Sequence, residues 1–151
     1  MSEATFLLAL KSTIDFLGTS IAQAQVPAVK FVDLGNQVNT QTLFASESDA
    51  IVWEFMTLQE APQDPLYRVH FNIGARTVND PGNYDILSLV GQVKVAFPVD
   101  SRINIFDYSG AVVGPLLGIL NVSSISVMEQ AYDKVSGIRM LTVLGLAQRL
   151  A

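Results

Sequence analysis

The 151-residue chain contains no cysteine. This absence excludes disulfide bonds, thiolate zinc sites, iron–sulfur clusters and cysteine nucleophiles. A single histidine excludes a metal site built from several imidazoles. Charged residues make up only 15% of the chain, whereas soluble domains typically carry about 25%. A surface with so few charges is expected to be covered in part by other protein.

Positive charge is also scarce. Nine basic residues stand against 14 acidic ones, and the formal net charge is −5. Tight binding of nucleic acid needs a basic surface, so high-affinity DNA or RNA binding is not expected. The start of the chain lacks the basic segment of a signal peptide. Residues 108–128 are uncharged, but their glycines and alternating serines favour a turn and a strand, so no membrane partner is expected.

The sequence motifs that usually mark catalysis are missing. No Gly-Lys-Ser/Thr, GxGxxG or GxSxG pattern occurs. His70 lies on the polar face of a predicted strand without a ligand cluster, which favours a surface histidine. Five acidic residues gather around the first predicted hairpin: Glu47, Asp49, Glu54, Glu60 and Asp64. Their spacing favours a solvated rim over a carboxylate pair or a magnesium site, and we expect no enzyme, cofactor or metal.

Two segments have helical periodicity. The first begins after Ser2, a candidate N-cap, and should end before Pro27. Its apolar stripe recurs every three or four residues, at Leu7, Leu10, Ile14, Leu17 and Ile21. Additional apolar residues widen the stripe and predict more than one apolar neighbour: Phe6, Leu8 and Phe16. The second helix should run from Tyr84 or Asp85 to Phe97, with one apolar face formed by Ile86, Leu89, Val90, Val93 and Phe97.

Strand-like segments occupy most of the remaining chain. They are 29–34, the antiparallel pair 51–58 and 67–75, the short segment 103–108, and the closing pair 118–130 and 138–148. This order predicts a single α+β domain, 1–151, with a mainly antiparallel sheet covered on one face by two helices. The aromatic residues Trp53, Phe55, Tyr67 and Phe71 should face those helices as core, in preference to forming a ligand pocket. We also expect Phe71 and Ile73 to meet Leu10 and Ile14.

Residues 35–50 form a long segment with few charges before its acidic end. Loops of this length are uncommon in compact domains and are usually functional or disordered. The apolar pair Leu43 and Phe44 stands among neutral polar residues, followed by Glu47 and Asp49. Such a composition suits a subunit contact, with an apolar centre and a polar rim. We predict that this loop is mobile in an isolated subunit and ordered against a neighbouring subunit or another protein of an assembly; the alternative is a loop folded back on its own domain.

The element order resembles that of the tail terminator (tail completion) proteins of long-tailed bacteriophages. Nearly the whole chain takes part in the resemblance, which rests on order and lengths and on no short motif. The corresponding segments are Phe6–Ile21, Val29–Leu34, Ile51–Ile73, Tyr84–Phe97, and the pair Ile119–Glu129 with Ile138–Ala147. The short strand in Phe97–Tyr108 is an addition that the simplest members lack, which leaves a contractile or a non-contractile tail open.

The resemblance implies a structural virion protein that forms a ring, expected to be a hexamer, at the head-proximal end of the tail tube. Such a ring stops polymerisation of the tube and docks the head connector or neck protein. In contractile tails it also meets the sheath, and DNA only passes through its lumen. The protein would be made in the host cytoplasm. The alternative from the residues alone is a small-molecule-binding or small enzymatic α+β domain.

Overall fold

A computed structural model describes residues 2–35, 49–60, 66–131 and 137–150. Helix α1 spans Glu3–Gln23, and its N-cap Ser2 accepts a hydrogen bond from the backbone N–H of Thr5, at 3.1 Å. The predicted cap and the predicted end before Pro27 are therefore confirmed. The helix buries large side chains along one face, interrupted by small residues that let the sheet approach; its buried positions are Phe6, Ala9, Leu10, Thr13, Ile14, Gly18 and Ala22.

The described residues form six strands in one sheet. They are β1 (Lys30–Asp33), β2 (Ala50–Glu60), β3 (Leu66–Thr77), β4 (Arg102–Phe106), β5 (Leu116–Ala131) and β6 (Gly137–Arg149). Their order across the sheet is β1-β2-β3-β6-β5-β4. All neighbours are antiparallel except β1 and β2, which run parallel. The predicted hairpin partners therefore pair as expected, and β3 and β6 bring the two hairpins together at the centre of the sheet.

Helix α2 spans Tyr84–Ala96 and ends at Phe97. Asn83 occupies the N-cap position in a left-handed conformation and makes no side-chain cap. The cap is supplied from further back, because the Asp80 carboxylate accepts hydrogen bonds from the backbone N–H groups of Asp85 and Ile86, at 3.3 and 2.9 Å. The Asp80–Asn83 turn thereby fixes the point where the helix begins.

Both helices cover the same face of the sheet and enclose the main core. Leu10, Ile14, Phe71 and Ile73 all belong to this one buried cluster. Strand β3 packs mainly against α2, and direct contact of Phe71 and Ile73 with Leu10 and Ile14 stays a prediction. Phe71 meets Phe97 edge to face, with ring centroids 5.5 Å apart. Trp53 and Tyr67 are buried in the same cluster, which confirms that these aromatic residues are core; the side chain of Phe55 lies outside the described residues. The structure is an α+β domain with a mostly antiparallel mixed sheet.

Helix α1 also contacts both outer strands of the sheet. On one side, the Thr13 hydroxyl donates to the Phe106 carbonyl (3.1 Å) and accepts from the Phe106 N–H (3.2 Å), and Ser12 accepts from the Tyr108 N–H (3.1 Å). On the other side, Lys11 lies 3.6 Å from Asp33 at the end of β1. Lys11, Ser12 and Thr13 are consecutive on α1, yet they reach the two opposite edges of the sheet. The sheet therefore curves around the helix. The Ser12 and Thr13 hydroxyls satisfy backbone groups that an uncovered edge strand would expose.

By length and composition, α1 is apolar enough to cross a membrane, with a mean hydropathy of 1.2 over an 18-residue window. Its buried face accounts for much of this apolar character, since Phe6, Leu10 and Ile14 are enclosed in the main core. The uncharged segment 108–128 is not helical: it forms a loop and most of β5, as its pattern predicts.

Candidate functional site

The predicted contact residues fall mostly outside the described part of the chain. Leu43, Phe44 and Glu47 lie outside the described residues, and their role stays a prediction. Asp49 is described, and its Oδ1 accepts a hydrogen bond from the backbone N–H of Val78, at 3.0 Å. This bond ties the start of β2 to the exit from β3. Asp49 therefore has a structural role within its own domain, in addition to any contact with a neighbour.

The candidate catalytic residues do not form a site in the described ranges. His70 is half-buried on the sheet face away from the helices, directly opposite Leu144 of β6. Glu54 lies on the same face, opposite Asn72 of β3. Glu47 and Asp64 are outside the described residues, and the Glu60 side chain is not described. Among the residues described, no group of three His, Asp or Glu side chains is placed to hold a metal ion.

A groove of about 580 Å³ runs along the outer side of α1. Its opposite wall is the segment 107–109, which follows β4. The rings of Phe16 and Tyr108 stack almost parallel across it, with centroids 4.1 Å apart and planes 5° from parallel. Leu8 adds an apolar side chain that is 65% exposed. We call this feature the α1 groove, and define it by Leu8, Lys11, Asp15, Phe16, Asp107 and Tyr108.

Carboxylates outnumber cations in and beside the α1 groove. Lys11 lies 3.1 Å from Asp15 and 3.6 Å from Asp33, and its ammonium group is 5.3 Å from the centroid of the Trp53 ring. Asp107 accepts a 2.5 Å hydrogen bond from the Ser109 hydroxyl and a 3.0 Å bond from the Ser109 backbone N–H. These two bonds, the hydroxyl first, hold the pKa of Asp107 below its ordinary value, because they stabilise the ionised carboxylate.

A second apolar surface follows the outer side of α2. Tyr84, Leu87 and Val95 are exposed, Tyr84 at 81% and Val95 at 78%. They lie at helical spacing with Gly91 between them, and a Cβ at Gly91 would meet no atom within 4 Å. A row of exposed apolar side chains on a solvent-facing helix, broken only at Gly91, is unusual for a domain that works alone.

A third surface lies on the sheet face away from the helices. The register aligns Arg68 of β3, Leu146 of β6, Asn121 of β5 and Arg102 of β4 in one row. Leu144 follows Leu146 on the same face, and these two leucines are 42% and 37% exposed. We call this surface the sheet-face patch, and define it by Arg68, Arg102, Leu144 and Leu146.

Sequence periodicity did not reveal these surfaces. Phe6 is buried, as its place beside the predicted stripe suggested. The prediction that α1 meets more than one apolar neighbour is confirmed: its buried face lies in the core and Phe16 stacks on Tyr108, while Leu8 is exposed. The sequence did contain a signal for such a surface, because a stripe wider than one buried face leaves apolar side chains that can contact another partner.

No protein-family model matches the chain, and no curated protein matches it significantly. Function is therefore inferred from the residues and surfaces described above.

Proposed function

We propose that this protein is a structural ring subunit of a long-tailed bacteriophage, located at the head-proximal end of the tail tube. The ring, a hexamer by resemblance, stops growth of the tube and presents a docking face to the head connector. In a contractile tail it also contacts the sheath. DNA passes through the ring without being held by it, which suits a chain with a net charge of −5.

One observation carries this proposal: large apolar side chains are exposed on both helices of a domain that has few charges. Leu8, Tyr84 and Val95 are each more than 60% exposed, while charged residues form only 15% of the chain. Apolar surface of this extent on a small domain is typical of a protein that works against protein partners. The order of elements, helix–strand–hairpin–helix–strand–hairpin, supports the tail terminator among such proteins.

The experiment is electron microscopy of tails made with and without the protein. Omission should give tubes of irregular, excessive length that do not join heads, and addition of the purified protein should restore a uniform length. Negative-stain images should then show a ring at one end of the tube. Tubes of normal length in the absence of the protein would contradict the proposal.

The predicted contact at Leu43 and Phe44 can be tested in the same assay. Phe44→Ser should impair termination, because a desolvated apolar anchor at the centre of a contact carries much of its energy. Asp49→Asn is a comparison variant in the neighbouring sequence that removes a charge and keeps an acceptor for the Val78 N–H. Normal termination by Phe44→Ser would remove this residue from the contact.

The α1 groove favours the second candidate, a small-molecule-binding domain. Its volume of about 580 Å³ lies within the range of ligand sites, about 300–1,000 Å³, and its aromatic pair offers a stacking surface. Ligand-detected NMR with a fragment library would test this candidate. Two results together would favour the ligand-binding domain over the ring. A fragment would bind and Phe16→Ala would abolish that binding, and the unmodified chain would have no effect on tail length.

A further inference from the structure

We infer that copies of this chain associate head to tail, with the sheet-face patch of one copy seated in the α1 groove of the next. Only the ring that repeated contacts would build rests on the proposed function. The contact itself follows from the chemistry of two surfaces on opposite sides of the domain.

The first argument is charge complementarity. The sheet face away from the helices has Arg68 and Arg102 exposed at the two ends of one row. Glu54 is the acidic residue on this face among the side chains described, and its partner Asn72 lies four residues along β3 from Arg68. The α1 groove instead brings Asp15 and Asp107 beside a lysine that already contacts two carboxylates. One surface is therefore positive and the other negative, although the chain as a whole is acidic.

The second argument is that both surfaces also carry apolar side chains, which lie among the charges described above. The patch places Leu144 and Leu146 between its arginines, and the groove presents Leu8, Phe16 and Tyr108 near its carboxylates. Apolar groups at the centre with charges at the margin are the usual anatomy of a protein interface. The charges then select the partner and its orientation, while burial of the apolar groups supplies affinity.

The dimensions of the two surfaces also agree. Arg68 and Arg102 are separated by three strand-to-strand steps, or about 14 Å at the usual spacing in sheets. Leu8 and Phe16 are eight residues apart on α1, or about 12 Å along the helix axis. A row of four strands can therefore lie along the length of the groove.

Two different surfaces in contact form a heterologous interface, in which each copy uses one of its two surfaces and keeps the other free for a further copy. Such an interface closes into a ring when the rotation between copies divides a full turn, and otherwise forms a filament. A second copy of this chain is thus the occupant of the groove, and the contact repeats around the assembly.

Light scattering after size-exclusion chromatography tests the contact with two variants. The patch variant combines Arg68→Glu with Arg102→Glu, and the groove variant is Leu8→Lys, which places a cation opposite the arginines at an exposed position. Each should raise the dissociation constant at least about tenfold, since like charges or a charge opposite an apolar surface oppose contact. Lys94→Glu and Val26→Lys, at exposed positions outside the patch and the groove, are control variants that should associate as the unmodified chain does.

Mixing the two variants tests the head-to-tail geometry. The groove variant keeps its patch and the patch variant keeps its groove, so an equimolar mixture should give dimers and nothing larger, while each alone stays monomeric. Association of the unmodified chain should weaken between about 0.1 and 1 M salt, because the screening length falls from about 10 to 3 Å. Circular dichroism and thermal melts establish that both variants fold.

Three results would overturn this inference: a monomeric chain at millimolar concentration, variants that associate like the unmodified chain, or a mixture without dimers. The tail assay separates its failure from that of the proposed function. A chain that associates through these surfaces and leaves tube length unchanged removes the proposed function alone. A chain whose two variants terminate tubes normally removes the head-to-tail contact alone.

Discussion

Along strand β3, odd-numbered residues face the helices and even-numbered residues face away from them, and the two sets differ in chemistry. The odd set is apolar and buried: Tyr67, Val69, Phe71, Ile73 and Ala75. The even set is mostly polar: Arg68 is exposed, His70 is half-buried, and Asn72 accepts a hydrogen bond from Thr142 of β6 at 2.8 Å. The first half of the strand therefore stabilises the fold with one set of side chains and supplies a surface with the other, whereas from Asn72 onward both sets are buried.

The difference explains how a domain with few charges can be both well packed and available for assembly. The covered face contains most of the buried apolar residues, so its substitution should unfold the chain. The face that the helices leave uncovered holds a smaller buried cluster, formed by Val32, Ala50, Val52, Ile138 and Met140. Leu144 and Leu146, farther along this face, are exposed and can meet a partner. The following substitutions test this division, beginning with the largest expected effect.

Phe71→Ala should lower the free energy of unfolding by about 3–5 kcal/mol, because it removes a fully buried aromatic side chain that packs against Phe97. Leu144→Ala is the matched change on the uncovered face, one position from the β6 partner of Phe71. It should cost less than about 1 kcal/mol, since Leu144 is already 42% exposed. Urea denaturation, at dilutions where the midpoint does not depend on protein concentration, measures both. Equal losses would mean that the two faces contribute alike to stability.

The division between the two faces was predictable because it depends on the spacing of apolar residues within single short segments. The alternation in β3 and the helical stripes of α1 and α2 each occupy a short segment, and the structure confirms all three. A stripe gives the direction that a segment faces, and from those directions the α+β class follows.

Features that depend on distant residues were not predictable. The contact between Thr13 and the backbone of Phe106 joins positions 93 residues apart, and nothing local to either one indicates it. The same holds for the stack of Phe16 on Tyr108, which turns an apolar residue of the stripe into a groove wall. The sheet-face patch depends on the strand order, because Arg68 and Arg102 lie in one row only when β6 and β5 pair between their strands.

Two helix glycines differ in their surroundings: Gly18 of α1 lies against the Phe31 ring, and Gly91 of α2 has no atom near its Cβ position. Gly18→Ala on α1 should destabilise the domain by about 1–3 kcal/mol, because the new Cβ would lie 2.1 Å from the Phe31 ring, which must move. Gly91→Ala on α2 should stabilise the monomer by about 0.5–1 kcal/mol, since the new methyl group meets no atom and alanine favours the helix. Thermal melts of both variants measure the signs. The same sign for both would contradict this placement of the two helices.

His70→Ala should change the free energy of unfolding by no more than about 0.5 kcal/mol, the usual range for surface substitutions. The residue lies half-buried on the uncovered face, and it belongs to no described metal or catalytic cluster. Tail termination by this variant should also be unchanged. Loss of termination in a folded His70→Ala protein would show that the uncovered face has a role that its apolar residues and arginines do not explain.

The smallest expected effect concerns the charge of the α1 groove in acid. Because the bonds from Ser109 lower the pKa of Asp107 in the folded state, this carboxylate contributes stability above its ordinary pKa, and that contribution is lost as the pH falls through the lowered folded value. Ser109→Ala removes the hydroxyl bond and keeps the backbone bond, so it should move the pKa of Asp107 upward, toward the ordinary value. A ¹³C NMR titration of the side-chain carboxyl groups follows Asp107 directly, with Ser88→Ala on α2 as a control for loss of a serine elsewhere. An unchanged Asp107 titration in Ser109→Ala would mean that the hydroxyl does not hold the groove's negative charge. Protonation of Asp107 removes negative charge from the α1 groove, so head-to-tail association should weaken as the pH falls through the lowered pKa of Asp107.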